Sequence, residues 1–274
     1  MKNSKRMIGM VAAIGIAAGV ALAGDPNKIV VDGSTTVGPI AKAFAEYYKG
    51  KHPDLNITVS ESGSGNGAKS LINAACDVAT MSRPMKNSEK QAAKDAGVLP
   101  IENIVAWDGI ALIVHPSNAA GALTIEQIRG IYTGKISNWK ELGGPDVPIV
   151  VVSRDTNSGT YETFETLVMN KEKMTDKAEY VGSSGAIRQR VMSTPAAVGY
   201  VGLAFLEGVK ALKVNGIEPT PETVLDKSYP IGRPLFMYTN GRPKEGTHLF
   251  NFVNMANTPE GKKIVDATGF VSLK

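Results

Sequence analysis

The chain has 274 residues, 43% of them hydrophobic and 20% charged, with 29 glycines, a single cysteine, three histidines and a formal net charge of +4. That length suits two lobes of ordinary domain size with a sizeable core. One cysteine excludes an internal disulfide scaffold, and His52, His115 and His248 lack the spacing of a zinc site.

Lys2, Lys5 and Arg6 make a basic start, Met7 to Val20 is apolar, and Ala21-Leu22-Ala23 offers small residues at a cleavage position. These features predict a secretory signal peptide over residues 1–23, because the apolar run falls short of the roughly 20 residues a spanning helix needs. Cleavage removes three cations and takes the net charge from +4 to +1, which leaves no electrostatic footprint for nucleic acid or an acidic surface partner. No cysteine stands at the end of the apolar run, so the expectation is a free periplasmic protein without a lipid anchor.

Beyond the leader, Lys28 to Asp32 reads as a strand. Val37 to Tyr48 has helical periodicity, with Ile40, Phe44 and Tyr47 on one face and Pro39 in the first turn. Asn56 to Ser60 alternates as a strand does, Ala68 to Ala75 is helical, Asp77 to Met81 is a strand, and Asn87 to Ala96 is an exposed helix. Cys76 falls in the apolar stretch Leu71 to Ala79 and reads as a small core residue. Ile104 to Val114 is a long apolar stretch interrupted by Asp108-Gly109. Thr124 caps a helix over Ile125 to Tyr132, and Asn138 to Pro145 reads as an irregular surface loop. Pro148 to Ser153 is a buried strand, Thr160 to Met169 and Ser183 to Met192 are helices, and Val198 to Leu203 is a strand. A polar excursion over 207–230 precedes a strand at Pro234 to Tyr238, a helix at Thr247 to Met255, and a last helix opened by Pro259. Strands alternating with helices predict an α/β protein with a mostly parallel sheet covered on both faces. The apolar strands near 110–114 and 198–201 bracket a central block that suits an inserted lobe, with a ligand crevice at strand carboxyl ends.

Three polar turns stand where strands hand over to helices: GSTTV at 33–37, SGSGNG at 62–67 and RDTNSGT at 154–160. A helix start leaves backbone N–H groups unpaired at the positive end of the helix dipole, so several such starts together suit one anion. Ser34, Thr35 and Thr36 supply donors in the first turn, Ser64 in the second, and Ser158, Gly159 and Thr160 in the third. Arg154 adds a planar fork of donors that matches a tetrahedral oxyanion. Any one of these turns by itself reads as simple helix capping; their joint occurrence argues for a ligand. Gly63 to Ser70 reads GSGNGAKS, a near-miss to a phosphate loop with Ala68 where glycine is required. Serine hydrolysis finds no GxSxG elbow, and the three histidines are scattered.

At these residues the chain resembles the phosphate-binding protein (PstS) family of bacterial phosphate ABC transporters. DGSTTVGPIAKAFAEYY, SESGSGNGAKSLI, DVATMSRPM, AWDGIALIVHPSN, IRGIYTGKISNWKELGG, SRDTNSGTYETFE and AVGYVGLAFL carry the resemblance. It implies a two-lobed periplasmic-binding-protein fold of type II, each lobe a mixed, mostly parallel sheet flanked by helices, joined by a two-strand hinge. Lobe 1 is expected over 24–110 and 203–274, and lobe 2 over 111–202. The family's phosphate contacts carry over to Ser34, Thr35, Thr36, Ser64, Arg154, Ser158, Gly159 and Thr160. Ser82, in MSRP, stands where the best-known members have an aspartate that accepts the proton of hydrogen phosphate. Asp108 is expected to supply that acceptor instead, and Asp155 to orient Arg154. The function implied is a periplasmic receptor that captures inorganic phosphate and delivers it to an inner-membrane ABC permease, as a monomer, without catalysis, cofactor or metal. The rival readings are a receptor for sulfate or a phosphonate, and a secreted phosphatase on the same scaffold.

Overall fold

The computed structural model describes residues 25–274; the predicted signal peptide lies outside them. Strands β1 (Lys28–Gly33), β2 (Asn56–Ser60) and β3 (Val78–Met81) run parallel, connected by helices α1 (Gly38–Lys51) and α2 (Ser64–Ile72). Helix α3 (Asn87–Asp95) leads into the long β4 (Pro100–Val114). Then come β5 (Ala122–Leu123), α4 (Ile125–Thr133), β6 (Val150–Arg154), α5 (Gly159–Leu167), β7 (Glu179–Val181), α6 (Ser184–Met192) and β8 (Ala197–Gly202). β9 (Lys210–Ala211), β10 (Lys213–Val214) and α7 (Pro221–Leu225) precede β11 (Gly232–Asn240), which α8 (His248–Asn254) and α9 (Pro259–Ala267) follow.

The main sheet has the order β2-β1-β3-β11-β4-β8-β6-β7, with β9 also on β4. Its two ends are parallel, as the strand–helix alternation predicts. Its middle is antiparallel, because β11 pairs antiparallel with both β3 and β4, and β4 with β8. β4 joins the halves: residues up to Gly109 pair with β11, and Ile110 to Val114 pair with β8. Asp108-Gly109 marks the switch between partners.

Side-chain alternation along the strands builds a core on each face of each half. Ile29 and Val31 of β1 join Ile40, Phe44, Phe252 and Val265 on one face, while Val30 packs with Leu71, Cys76 and Met81 on the other. In the other half Ile110, Leu112 and Val114 of β4 pack with Ile128, Tyr132, Phe164 and Tyr200. Ala111 and Ile113 point the opposite way, onto Val152, Ile187 and Val201. The 207–230 excursion is more apolar in use than its sequence suggests: Leu212, Val214, Val224 and Tyr229 all enter the second core. Asn138 to Pro145 also differs from the expected surface loop. Trp139 is 1% exposed and donates its indole N–H to the Ala196 carbonyl at 2.9 Å. Among the described residues no helix is long and apolar enough to cross a membrane.

Candidate functional site

Four helix starts meet across the two halves, each at the carboxyl end of a parallel strand, where ligand crevices form in such sheets. α1 and α2 come from the first half, α5 and α6 from the second. The first turn is anchored by the Ser34 amide, which donates to the Thr80 carbonyl at 2.8 Å. Gly33 carries φ 135°, and a Cβ there would lie 2.2 Å from the same carbonyl, so only glycine lets β1 close on β3 here. Ser34 Oγ accepts the Thr36 and Val37 amides at 3.2 and 3.3 Å. Ser158 Oγ likewise accepts the Tyr161 amide at 3.2 Å. Ser158 therefore caps α5 and Ser34 closes the turn that leads into α1, and each hydroxyl keeps its proton to donate.

The hydroxyls meet between the halves. Thr36 Oγ1 lies 2.9 Å from Thr160 Oγ1 and 3.3 Å from Ser184 Oγ. Thr35 Oγ1 accepts the Ser184 amide at 3.3 Å. Ser64 Oγ accepts the Ser82 amide at 3.0 Å, and the Gly65 amide donates to the Asn157 carbonyl at 3.0 Å. Gly159 is also tightly enclosed: a Cβ there would be 2.5 Å from Ser64 Oγ and 2.7 Å from Ser82 Oγ, both on the opposite half. The amides of Thr35, Ser64, Gly159 and Thr160, all on buried residues, find no partner among the described residues. Buried unpaired amides are rare in folded proteins, and four at one place mark a site for an acceptor.

Arg154 is 2% exposed. Its Nε donates to the Val181 carbonyl at 3.2 Å, Nη2 to the Gly182 carbonyl at 2.9 Å and Nη1 to Ser184 Oγ at 3.3 Å. All three partners are neutral. Burial pulls its pKa below the ordinary guanidinium value, an effect that nearby Asp155 opposes. Asp155 does not hydrogen-bond the guanidinium as expected, because its Oδ1 takes the Asn157 amide at 2.8 Å and shapes the turn. The carbonyls at the start of α6 orient Arg154 instead.

Asp108 departs from its expected role. Its Oδ2 accepts Arg233 Nε and Nη2 at 3.0 and 2.8 Å, and its Oδ1 accepts the Leu203 amide at 3.0 Å. Burial pushes the carboxyl up, and Arg233 counters that push. The remaining arm of Arg233, Nη1, donates to the Ser82 carbonyl at 3.1 Å. Asp108 thus fixes Arg233, and Arg233 fixes the Ser82 backbone. Ser34, Thr35, Thr36, Ser64, Ser82, Arg154, Ser158, Gly159 and Thr160 come together; Asp108 stands behind them.

Two residues join the site that sequence reasoning missed. Ser184 touches Thr35, Thr36 and Arg154, and its turn, Gly182 to Gly185, carries the same small polar signature as the other three. Arg233 sits in a strand without any motif. Among the described residues no group of three or more histidine, cysteine or acidic side chains could hold a metal ion.

A sheet of two parallel ends, joined by β4 and β11 and loaded with helix starts between its halves, is the two-lobed type II fold of periplasmic binding proteins. Residues 20–255 match the PBP superfamily domain. The phosphate-binding protein PstS of Staphylococcus aureus (strain USA300) is 35% identical over 254 residues, covering 88% of this chain and 77% of that protein. A Clostridium perfringens protein, described as a phosphate ABC transporter substrate-binding protein and solved with bound phosphate, is 39% identical with a TM-score of 0.82, over 90% of this chain and 100% of that one. An ABC-type phosphate transport receptor from Vibrio cholerae is 29% identical with a TM-score of 0.72, over 89% and 100%. The chain belongs to the PstS family of phosphate-binding proteins.

Proposed function

We propose that this protein is a periplasmic receptor that captures inorganic phosphate between its lobes and hands it to an inner-membrane ABC permease. It acts as a monomer exported by the signal peptide over residues 1–23, and it does no chemistry on its ligand. Lobe 1 comprises residues 25–109 with 232–274, and lobe 2 the segment between, since 210–231 share the second core. The observation that carries the reading is Arg154: a buried cation with only neutral partners, ringed by unpaired amides and hydroxyls. Burying an unpaired charge is costly, and a dianion removes that cost.

Ser34, Thr35, Thr36, Ser64, Ser82, Ser158, Gly159, Thr160 and Ser184 donate to the anion's oxygens, and Arg154 neutralises its charge. Asp108 and Arg233 hold Ser82 in place. Closure of the lobes removes water from the anion and strengthens each of these hydrogen bonds. Calorimetric titration with inorganic phosphate tests the reading: tight one-to-one binding is expected, and absence of binding overturns it. Incubation with a chromogenic phosphate ester should give no turnover, which separates a receptor from a phosphatase.

One observation favours a second reading. The carboxylate expected to accept the proton of hydrogen phosphate is committed to Arg233, and Ser82 has no charge to repel sulfate. A receptor for another tetrahedral oxyanion would show sulfate competing with phosphate at mildly acidic and mildly alkaline pH alike; phosphate alone is expected to bind.

A further inference from the structure

A cluster of charges bridges the two halves beside the site, on residues the anion does not need. Arg83 follows Ser82 in the first half and is almost fully buried. Its Nη1 and Nη2 grip both oxygens of Glu89 on α3, at 2.7 and 2.6 Å, and Nη1 also donates to the Pro84 carbonyl at 3.0 Å. Glu89 itself accepts the Lys86 amide at 2.8 Å, so this side of the cluster is rigid. The third nitrogen, Nε, faces the other half and lies 2.7 Å from Glu162 Oε2 on α5, a charge contact rather than an aligned hydrogen bond. Lys86 Nζ lies 2.8 Å from the same oxygen. Glu162 is only 15% exposed, and its buried Oε1 has no hydrogen-bond partner.

Glu162 is one turn into the helix whose first residues, Gly159 and Thr160, press on Ser64, Ser82 and Thr36. Whatever separates the halves at the anion also separates Glu162 from its two cations. Within the first half Arg83 keeps Glu89 as its partner, whereas Glu162 has no cation on its own half among its contacts within 4.0 Å. The pairing is therefore conditional on closure for Glu162 and permanent for Arg83.

We propose that Glu162 is a latch residue: its ion contacts with Arg83 and Lys86 across the cleft set how long the closed lobes retain the anion, without touching it. This rests on the phosphate-receptor reading above. A latch of this kind acts on escape rather than capture, because the contacts exist only after closure, so it lengthens residence time and leaves the encounter rate alone. It also responds to ionic strength, since Lys86 is half exposed.

Stopped-flow measurement of phosphate association and dissociation on wild type, Glu162→Gln, Lys86→Met and the double variant tests this. Glu162→Gln should raise the dissociation rate about tenfold and leave association within about twofold, as loss of a partly buried charge contact at an interface does. Wild-type dissociation should quicken with salt while that of Glu162→Gln stays flat. The double variant should dissociate no faster than Glu162→Gln alone, and Glu162→Asp should recover part of the loss. Equal dissociation rates in wild type and Glu162→Gln overturn the latch and leave the receptor reading standing. A second arm needs no ligand: energy transfer between dyes on Lys94→Cys in one half and Lys173→Cys in the other reports the closed population directly. Glu162→Gln should lower that population in the unliganded protein, and an unchanged population overturns the latch. Wild type that closes through Glu162 in this second arm but binds no phosphate would overturn the receptor reading and not the charge contact.

Discussion

At the residue scale the molecule sorts its buried arginines by partner. Arg233 has Asp108, Arg83 has Glu89 and Glu162, and Arg154 has carbonyls and a hydroxyl only. A guanidinium kept from water without an anion is unfavourable unless an anion arrives, which is why Arg154 is the proposed partner of the ligand's charge. Arg154→Ala should weaken phosphate binding by about 2–5 kcal/mol in calorimetry, since the desolvated anion would lose its one charged partner. Unchanged affinity would remove Arg154 from the site. Cys76 makes the opposite case, a reactive group disarmed by its surroundings. Burial among Leu71, Met81 and Met85 pushes its thiol up to about 12, with Asp32 and Asp77 adding to the rise. A thiol above neutral pH by that much carries almost no thiolate, so it should resist a disulfide reagent in the native protein and react at once on unfolding. The sequence already pointed to Arg154 and to Cys76 in the core, because a charge beside a polar turn and a cysteine in an apolar run are local signals. It misassigned Asp108 and Asp155, because which oxygen meets which donor depends on Arg233 and Asn157, which only the fold brings near.

At the element scale the site depends on helix starts rather than on helices. α4, α5 and α6 fall within a residue or two of their sequence-based bounds and α1 and α9 start within one residue of theirs, since apolar spacing and Ser, Thr or Pro at the start are local properties. α2 differs: it begins at Ser64, so four of the six residues read as its leading turn are already helical. Gly65 and Gly67 discourage a helix on propensity alone. Tertiary contacts override that preference, because Gly67 packs where a Cβ would lie 2.8 Å from Gly33 Cα, and the Gly65 amide holds the Asn157 carbonyl. Gly159 has the same logic across the cleft. Its backbone conformation is open to any residue, so alanine fits the helix but not the neighbours, with its methyl carbon 2.5 Å from Ser64 Oγ. Gly159→Ala should act as a wedge. Phosphate affinity should fall at least about tenfold, while the unliganded thermal midpoint stays level or rises slightly, because alanine is the better helix former by about 1 kcal/mol. Equal affinity in the two proteins would show that the halves do not need to approach so closely.

For the whole molecule the question is what binds the two cores into one unit. Each half has apolar packing on both faces of its share of the sheet, and the shared backbone between them is β4 and β11. Among the described residues, the polar contacts across the cleft include hydroxyl pairs, the Ser184 amide on Thr35 Oγ1, the Gly65 amide on the Asn157 carbonyl, the Thr163 hydroxyl on the Ser82 carbonyl and the charges around Glu162. These are individually weak, so an anion gripped from both sides adds a connection that the unliganded chain lacks. Linkage then requires that phosphate stabilise the folded state by its own binding free energy, about 2.7 kcal/mol at a hundredfold excess over Kd. For a chain of this size that corresponds to a thermal midpoint raised by roughly 5–10 °C, climbing with the logarithm of phosphate concentration. Arg154→Ala should flatten the climb over the same concentrations, because the stabilisation is drawn from the bound anion and not from a general salt effect. Sulfate at matched ionic strength should produce the flat line in wild type as well. A rise of equal size with sulfate would mean that the site reads tetrahedral shape and charge alone, with Ser82 and the committed Asp108 offering no acceptor for the proton that distinguishes phosphate.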